Sequence, residues 1–303
     1  MSKLRIGLIG GRGYVGGELI RLLVEHDAMQ LVFASSSSKA GSPISGTALE
    51  FISLQPEQLD QHQDIDALVL ALPNGKAKYW VKAIEASGRD ICVLDISADY
   101  RFDDDWVYGL AEINKDRLLG AKRISNPGCY ATAAQLALYP LRHLLEGAPM
   151  VFGVSGYSGA GATPSPKNDP LNLKDNLLPY SLCGHIHERE IGFHLKQDVH
   201  FSPHVAAFFR GISMTIHMNF KHDVSVEKVN ETLSGFYQSS PLIQVDSEIP
   251  NVRMVVNTPM VRVGGFSINE SKRHGVIVVV LDNLLKGAAS QVMQNLELAL
   301  EVN

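Results

Sequence analysis

The feature that most constrains the fold is an apolar run, Leu4–Ile9, that leads through a cluster of glycines into an amphipathic helix at 16–25. The same alternation continues over about the first hundred residues. Further apolar runs at 31–34, 67–72 and 92–96 predict buried strands, and residues 76–85 have apolar side chains at helical spacing. Strands that alternate with helices in this way pair in a parallel sheet. We therefore predict an α/β fold that begins with a Rossmann-like, doubly wound parallel sheet.

The glycine cluster between the first strand and the first helix is a candidate dinucleotide site. It consists of Gly10, Gly11, Arg12, Gly13, Tyr14, Val15 and Gly16. Glycines at such a turn let the backbone approach a pyrophosphate, whose charge is stabilised by the N–H groups and the dipole at the start of the helix. Gly10, Gly13 and Gly16 are spaced G-x-x-G-x-x-G, which departs from the usual G-x-G-x-x-G unless Gly11 is counted first. Glycines also mark ordinary tight turns, but the position after the first strand favours nucleotide binding.

The end of the second predicted strand indicates which dinucleotide would bind. NAD enzymes usually place Asp or Glu there to bind the ribose 2′-hydroxyl, whereas NADP enzymes avoid that charge and supply donors to the 2′-phosphate. In this sequence the strand is followed by Ser35, Ser36, Ser37, Ser38 and Lys39, with no acidic residue. The alternative is a polar loop that binds nothing. We predict NADP(H) as the cofactor, with Ser35, Ser36, Ser38 and Lys39 among its contacts.

Charge, hydropathy and cysteine usage exclude several classes of protein. The formal net charge is −5 and Lys and Arg form no long run, so the positive field that nucleic-acid binding requires is missing. No apolar run reaches the roughly 18 residues that span a bilayer. Cys92, Cys129 and Cys183 are widely spaced and odd in number, which fits neither a disulfide framework nor paired zinc ligands. These observations predict a cytoplasmic protein with no nucleic-acid or membrane partner.

Cys129 is the candidate nucleophile. It follows a Pro-Gly pair and precedes an apolar run at 133–145 with helical spacing, so it is predicted at or near the first turn of a helix. Unpaired N–H groups and the helix dipole stabilise a thiolate at that position, and the thiolate is the reactive form. Many cysteines are simply small buried side chains, which is our interpretation of Cys92 in its strand. Cys183, beside a Gly-His pair, is the alternative nucleophile.

From about residue 150 the sequence changes character. Glycine, serine and proline are frequent at 155–170, and long strands are predicted at 211–220 and 275–282. This pattern indicates a second, mainly antiparallel domain, and a chain of 303 residues is long enough for two. Residues 283–300 have apolar side chains at helical spacing and predict an amphipathic helix that returns to the first domain. The predicted domains are 1–128 together with 283–303, and 129–282.

Several segments across the chain form a recognisable set. They are the glycine turn at 10–16, SNPGCYAT at 125–132, SGYSGAG at 155–161 and DNLLKGAA at 282–289, with SADYRF at 97–102, HIHERE at 185–190, PH at 203–204 and FRGI at 209–212. Together they resemble the N-acetyl-gamma-glutamyl-phosphate reductases of arginine biosynthesis, a family of semialdehyde dehydrogenases, over nearly the whole chain. The resemblance implies an NADP-binding domain and an α+β domain for catalysis and dimerisation. The latter would be similar to the C-terminal domain of glyceraldehyde-3-phosphate dehydrogenase.

The resemblance also implies a reaction and its partners. The Cys129 thiolate would attack N-acetyl-gamma-glutamyl phosphate, inorganic phosphate would leave, and NADPH would reduce the thioester to N-acetylglutamate semialdehyde. The direction can reverse, with phosphate attacking the thioester. The expected partners are this small-molecule substrate, inorganic phosphate and further copies of the chain in a homodimer or homotetramer.

Two histidines and a glutamate are the candidate proton-transfer residues. His185, His187 and Glu190 fall where the family has its His-x-His-x-x-Glu pattern, and histidine transfers protons near neutral pH. We predict His187 as the acid/base, His185 as a supporting or substrate-binding residue and Glu190 as the third member. The sequence leaves open which of the two histidines is the acid/base, and the other one would then be structural. No pair of cysteines accompanies the two histidines and the glutamate, so no metal site is predicted.

The remaining candidate residues lie in the family-like segments. Arg210 is the predicted anchor for an anionic substrate group, because an arginine fork matches carboxylate and phosphate, and a local ion pair is the alternative. Asn126 is predicted to bind substrate. The segment 155–161 is too glycine-rich to be a strand, and its Ser158 and Gly159 are predicted near the nicotinamide. Asn283 is a further predicted cofactor contact.

Three other functions remain open from the sequence alone. Aspartate-semialdehyde dehydrogenase and the lysine-pathway reductase of aminoadipyl phosphate use the same thiol and hydride chemistry, and motifs say little about pocket shape. A non-catalytic NADP-binding sensor is the alternative from another class. The presence of Cys129, His187 and Glu190 in the family's register favours an enzyme.

Overall fold

The computed structural model describes residues 2–62 and 64–302, and the chain divides into two compact units. The first unit comprises Met1–Gly128 with Ala288–Asn303, and the second comprises Cys129–Gly287. The three cysteines of the chain are free thiols. Within the described ranges, no helix is both long enough and apolar enough to cross a membrane.

The first unit is built on a six-stranded sheet whose pairings are all parallel. Its strands are β1 (Leu4–Ile9), β2 (Met29–Ser35), β3 (Ala67–Leu70), β4 (Cys92–Asp95), β5 (Val107–Tyr108) and β6 (Arg123–Ser125), in the order β2-β1-β3-β4-β6-β5. The helices between them are α1 (Tyr14–Glu25), α2 (Ala77–Ser87) and α3 (Ala111–Leu118), with a 3₁₀ segment at Pro56–Gln61.

The second unit contains a seven-stranded mixed sheet. Its helices are α4 (Cys129–Leu138), α5 (Pro170–Leu173), α6 (Ile186–Leu195) and α7 (Val226–Phe236). Its strands are β7 (Leu145–Gly156), β8 (Leu177–Pro179), β9 (His200–Ala206), β10 (Ile212–Phe220), β11 (Ile243–Asp246), β12 (Val261–Ile268) and β13 (His274–Leu281). The order is β11-β12-β13-β10-β7-β9-β8, with β11–β12 and β7–β9 parallel and the other pairs antiparallel. The last helix, α8 (Ser290–Ala299), belongs to the first unit.

The first sheet buries side chains on both faces, as a doubly wound fold requires. On one face Leu8 of β1 packs with Leu19 of α1 and Leu296 of α8. On the other face Leu70 of β3 packs with Trp80 of α2. The strand order changes direction at β1, since β2 and β3 lie on opposite sides of it. Ligands of open parallel sheets bind at the carboxyl ends of the strands at such a point, and the glycine turn follows β1 there.

In the second unit, α4 is the central helix, and it packs against β10, β13 and α6. Every residue of α4 after Cys129 is buried. Side chains of a strand alternate between the two faces of its sheet, and Met214 and Ile216 of β10 are buried. On the opposite face, Met150 and Phe152 of β7 are 52% and 41% exposed.

The structure confirms the predicted α/β class, and the predicted strands and helices of the first hundred residues coincide with β1 to β4, α1 and α2. Three local predictions were wrong. The helix predicted at 133–145 ends at Leu138 and continues as a 3₁₀ segment, because Pro140 cannot donate a helical hydrogen bond. The helix predicted at 283–300 is not one continuous α-helix, because residues 285–289 form a π-helical turn before α8 begins at Ser290. Ser155 and Gly156 complete β7, because the Gly156 N–H donates to the Gly211 carbonyl oxygen at 2.8 Å.

Neighbouring glycines in the first turns of α1 give a matched test of this packing. A Cβ on Gly16 would lie 2.8 Å from the carbonyl oxygen of Gly10, whereas a Cβ on Gly17 would meet nothing within 4 Å. We expect Gly16→Ala to destabilise the protein by roughly 1–3 kcal/mol through overpacking. Gly17→Ala should instead stabilise α1 by about 0.5–1 kcal/mol. Thermal unfolding midpoints measure both, and a Gly16→Ala midpoint at or above that of Gly17→Ala contradicts the prediction.

Candidate active site

The glycine turn lies at the carboxyl end of β1 and is tied to the end of β2. The N–H groups of Gly10 and Gly11 donate to the Ser35 carbonyl oxygen at 3.2 and 2.9 Å. Gly10 has a φ of +89°, which L side chains rarely adopt, and Gly16 packs against the backbone of Gly10. By contrast, a Cβ on Gly13 would meet no described atom within 4 Å. Gly10 and Gly16 therefore shape the turn, and Gly13 leaves space beside the first N–H groups of α1, which fits a pyrophosphate.

Cationic and hydroxyl side chains follow the carboxyl end of β2. Arg12 Nη1 donates to Ser38 Oγ at 3.1 Å, which joins two residues that were predicted to bind the cofactor. Arg12, Ser38 and Lys39 are exposed, whereas Ser35 and Ser36 are buried. In the part of the chain that the structure describes, neither Arg12 nor Lys39 has a carboxylate partner. Two such cations and a hydroxyl fit the 2′-phosphate of NADP.

In the second unit, the predicted residues Ser158, Gly159 and Asn283 come together. Asn283 Oδ1 accepts from the Gly211 N–H at 2.6 Å, and Asn283 Nδ2 donates to Ser158 Oγ at 2.9 Å. A Cβ on Gly159 would lie 2.9 Å from Ser155 Oγ. The buried Asn283 amide therefore holds the 3₁₀ turn Tyr157–Ala160 in place.

The three cysteines have different surroundings. Cys129 is the first residue of α4, as the Pro-Gly pair before it predicted, and it is partly exposed. Gly287 packs against it, since a Cβ on Gly287 would lie 2.7 Å from the Cβ of Cys129. Cys92 is buried in β4, and burial raises its pKa to about 12, so it stays protonated. Cys183 is exposed. Cys129 alone lies at the N-terminus of a helix.

The two predicted histidines lie at the start of α6 and not on a strand. His185 is the N-cap residue, and its Nδ1 accepts from the His187 N–H at 3.1 Å. At this helix start the two rings lie close together, with their centroids 4.9 Å apart. Glu190 is fully buried on the same helix. Burial, and then the positive charge of Lys167, lower the pKa of His185.

Two tyrosines that the sequence analysis missed connect Cys129 to these histidines. The ring of Tyr130, the residue after Cys129, lies 6.3 Å from that of His185 and 5.9 Å from that of His187. The Tyr180 ring lies 5.5 Å from His185. Burial raises the pKa of both tyrosines, so their hydroxyls stay protonated. In the sequence, only the position of Tyr130 next to Cys129 indicated that it lies at the candidate site, and nothing indicated this for Tyr180.

Arg210 forms an ion pair with a buried carboxylate. Its Nε lies 2.7 Å from Asp282 Oδ2, and its Nη2 donates to Asp282 Oδ1 at 3.0 Å. The Asp282 side chain is fully buried and also accepts from the Asn257 N–H at 2.8 Å. This local pair was the alternative to an anion anchor in the sequence analysis. The role of Arg210 in substrate binding stays a prediction.

Asn126 is buried in the first unit, at the end of β6. Its Oδ1 accepts from Asn295 Nδ2 at 3.1 Å, and its carbonyl oxygen accepts from Arg101 Nε at 2.9 Å. Its side chain therefore links β6 to α8, and its predicted contact with substrate stays a prediction. Among the residues that the structure describes, no group of three His, Cys, Asp or Glu side chains is placed to hold a metal ion.

Solved structures share this fold over the full length of the chain. Aspartate semialdehyde dehydrogenase II from Vibrio cholerae, complexed with ASA, has a TM-score of 0.81 at 18% identity and covers 100% of this chain and 99% of its own. Aspartate semialdehyde dehydrogenase with NADP from Candida albicans has a TM-score of 0.73 at 17% identity, covering 99% and 100%. At these identities the likeness shows the fold alone.

Comparison with the sequences of known proteins identifies the family as well as the fold. Family models match residues 5–121, as the NAD-binding domain of semialdehyde dehydrogenase, and 129–283, as its dimerisation domain. The N-acetyl-gamma-glutamyl-phosphate reductase of Stenotrophomonas maltophilia is 48% identical over 100% of this chain and 97% of its own length. The mitochondrial protein arg-6 of Neurospora crassa is 46% identical over 98% of this chain, which spans 35% of that longer protein. The chain therefore belongs to the semialdehyde dehydrogenase family, with the N-acetyl-gamma-glutamyl-phosphate reductases among its relatives.

Proposed function

We propose that the protein is an NADP-dependent enzyme of arginine biosynthesis that reduces N-acetyl-gamma-glutamyl phosphate to N-acetylglutamate semialdehyde and releases inorganic phosphate. The observation that carries the proposal is a partly exposed cysteine, Cys129, at the start of a buried helix, whose next residue, Tyr130, lies against the rings of His185 and His187. The high identity to relatives of that name over the whole chain supports the choice of substrate.

The first chemical step is an acyl transfer to sulfur. The Cys129 thiolate, stabilised by the helix dipole and the N–H groups at the start of α4, attacks the acyl carbon. A carbon–sulfur bond forms, the carbon–oxygen bond to phosphate breaks, and the electron pair leaves on inorganic phosphate. Backbone N–H groups at the same helix start are suited to stabilise the oxyanion that develops on the carbonyl.

The second step converts the thioester into the aldehyde. Bound NADPH supplies the hydride. His187 donates a proton to the carbonyl oxygen as that oxygen gains charge, and then accepts it back as the carbon–sulfur bond breaks, which regenerates the Cys129 thiolate. His185 orients His187 through its hydrogen bond to the His187 N–H, and it also contacts substrate. Glu190, buried on the same helix, completes the catalytic group.

We assign the cofactor contacts from the space at the glycine turn and from the cations and hydroxyls that follow β2 in the first unit. We assign the pyrophosphate to the turn formed by Gly10, Gly11, Gly13, Tyr14, Val15 and Gly16, and the 2′-phosphate to Arg12, Ser35, Ser36, Ser38 and Lys39. Ser158, Gly159 and Asn283 are assigned to the nicotinamide end. In this scheme 1–128 with 283–303 bind NADP, and 129–282 carry catalysis and dimerisation.

We also propose a homodimer or homotetramer that acts in the cytoplasm. The match of residues 129–283 to a dimerisation domain and the exposed apolar side chains of Met150 and Phe152 on one sheet face support self-association. The exposed free thiol of Cys183 suits a reducing compartment.

The fold is shared with aspartate semialdehyde dehydrogenases, so the substrate has to be tested directly. Phosphate-dependent reduction of NADP is to be followed with N-acetylglutamate semialdehyde and with aspartate semialdehyde. We expect a higher kcat/KM for the former. A higher value for aspartate semialdehyde would overturn the proposed substrate.

Removing the nucleophile should abolish turnover while NADP binding remains. We expect Cys129→Ser to lower kcat at least about 10³-fold, because a hydroxyl is a far weaker nucleophile than a thiolate. Cys183→Ser is the matched control and should retain wild-type kcat. NADP affinity, measured by fluorescence titration, should be unchanged in both. Residual activity of Cys129→Ser within tenfold of the wild type would remove the mechanism.

Removing the cation beside Ser38 should change cofactor preference. We expect Arg12→Ala to raise KM for NADPH about 10- to 100-fold, since a charge-assisted contact to the 2′-phosphate is lost. The KM for NADH, which has no 2′-phosphate, is the internal control and should change little. An equal rise for both cofactors would contradict the assignment.

Burial and the charge of Lys167 lower the pKa of His185 in the folded protein, so its ring is protonated less than an exposed histidine at the same pH. The unfolded chain takes up a proton on His185 more readily, so the stability that the neutral ring contributes is complete above the pKa of the unfolded chain, roughly 6.5, and declines as the pH falls through the folded pKa. Ring-labelled NMR titration measures the pKa directly. Lys167→Gln should raise the pKa, because it removes a positive charge, and a downward shift would contradict this cause.

A further inference from the structure

Lys167 is a partly buried cation without an anionic partner. It lies in the second unit on the loop between the turn Tyr157–Ala160 and α5. Its Nζ is 4.6 Å from the centroid of the Tyr180 ring. Over residues 2–62 and 64–302, no carboxylate forms an ion pair with it. An ammonium that is partly withdrawn from water in this way is stabilised when an anionic ligand completes its surroundings.

Lys167 interacts with Tyr180 and His185, and Tyr180 in turn lies within range of the charge of Cys129. The Tyr180 ring lies 5.5 Å from the His185 ring. The charge of Lys167 acts on His185, whose pKa it lowers after the larger effect of burial. The charge of Cys129 acts on Tyr180, whose pKa it raises after the larger effect of burial. Lys167, Tyr180, His185 and Cys129 therefore belong to one cluster within the second unit.

The loop that carries Lys167 is held by its own hydrogen bonds. Asn168 Nδ2 donates to the carbonyl oxygens of Gly161 and Thr163, both at 2.8 Å. Asn168 Oδ1 accepts from the Ser165 N–H at 2.7 Å. Prolines on both sides of Ser165 restrict the backbone further. The ammonium is thus presented from a pre-organised loop, which reduces the entropy lost when a ligand binds.

Arg210, the cation that the sequence predicted to bind an anionic group of the substrate, already has an anionic partner. The Arg210 fork binds the fully buried Asp282 carboxylate through two of its nitrogens. Releasing it to hold a ligand would leave a buried carboxylate without its counter-ion, which is strongly unfavourable. Lys167 can bind a ligand without breaking an ion pair, because it forms none with the described residues.

We propose that Lys167 binds the phosphoryl group of the acyl phosphate, and inorganic phosphate in the reverse direction, beside Cys129. The proposal rests on the proposed function and names the residue that recognises its leaving group. As the thiolate bonds to the acyl carbon, the breaking carbon–oxygen bond leaves its electron pair on phosphate. The ammonium stabilises the negative charge that develops there.

The test uses the reverse reaction, in which phosphate is a substrate with its own KM. We expect Lys167→Gln to raise KM for phosphate about 10- to 100-fold, with KM for the semialdehyde and for NADP nearly unchanged. Lys174→Gln, which neutralises an exposed lysine nearby in the chain, is the matched control and should leave all three constants unchanged. An unchanged phosphate KM in Lys167→Gln would overturn the proposal.

Direct titration of the wild type and both variants with inorganic phosphate, by calorimetry in the presence of NADP, separates this proposal from the proposed function. If the wild type does not turn over the semialdehyde, the proposed function fails, and the titration alone decides the role of Lys167. Weaker phosphate binding in Lys167→Gln than in Lys174→Gln supports the role, and equal binding overturns it. Lys167→Met is a second neutral variant that gives the same decision if Lys167→Gln does not fold.

Discussion

Two adjacent side chains at the end of β13 hold the turns of the second unit. The buried Asp282 carboxylate binds Arg210 and accepts three backbone N–H groups, while the Asn283 amide fixes the turn that contains Ser158. A buried charge of this kind depends on its partner, because removing one member of such a pair costs roughly 3–5 kcal/mol. The turn Leu285–Ala289, whose Gly287 packs on Cys129, begins two residues after Asn283. The surroundings of the nucleophile therefore depend on one polar network.

Most of the fold was predictable because its signals are local. The glycine turn, the buried strands and the amphipathic helices of the first unit each depend on residues a few positions apart, and the structure has them where the sequence indicates. The errors in the second half have local physical causes as well. Pro140 ended a helix that apolar spacing alone extended, and the glycines of 155–161 did not prevent Ser155 and Gly156 from pairing in β7.

The candidate site was predictable in part. The place of Cys129 at a helix start followed from the Pro-Gly pair before it, and the two histidines followed from a family motif. The packing of their rings did not, because a spacing of two residues does not say whether the histidines lie on a strand or at a helix N-cap. Contacts between distant segments, such as Arg210 with Asp282 or Lys167 with Tyr180, leave no periodic trace in a single sequence.

The N-cap hydrogen bond of His185 has a consequence for ligand recognition. Its Nδ1 is an acceptor for the His187 N–H, so a neutral ring has to carry its proton on Nε2. The tautomer is thus chosen by the backbone of α6 before any ligand arrives. On its far side this imidazole acts only as a donor, which matches an oxygen lone pair of a carbonyl, carboxylate or phosphate and disfavours an ammonium or amide N–H at the same place.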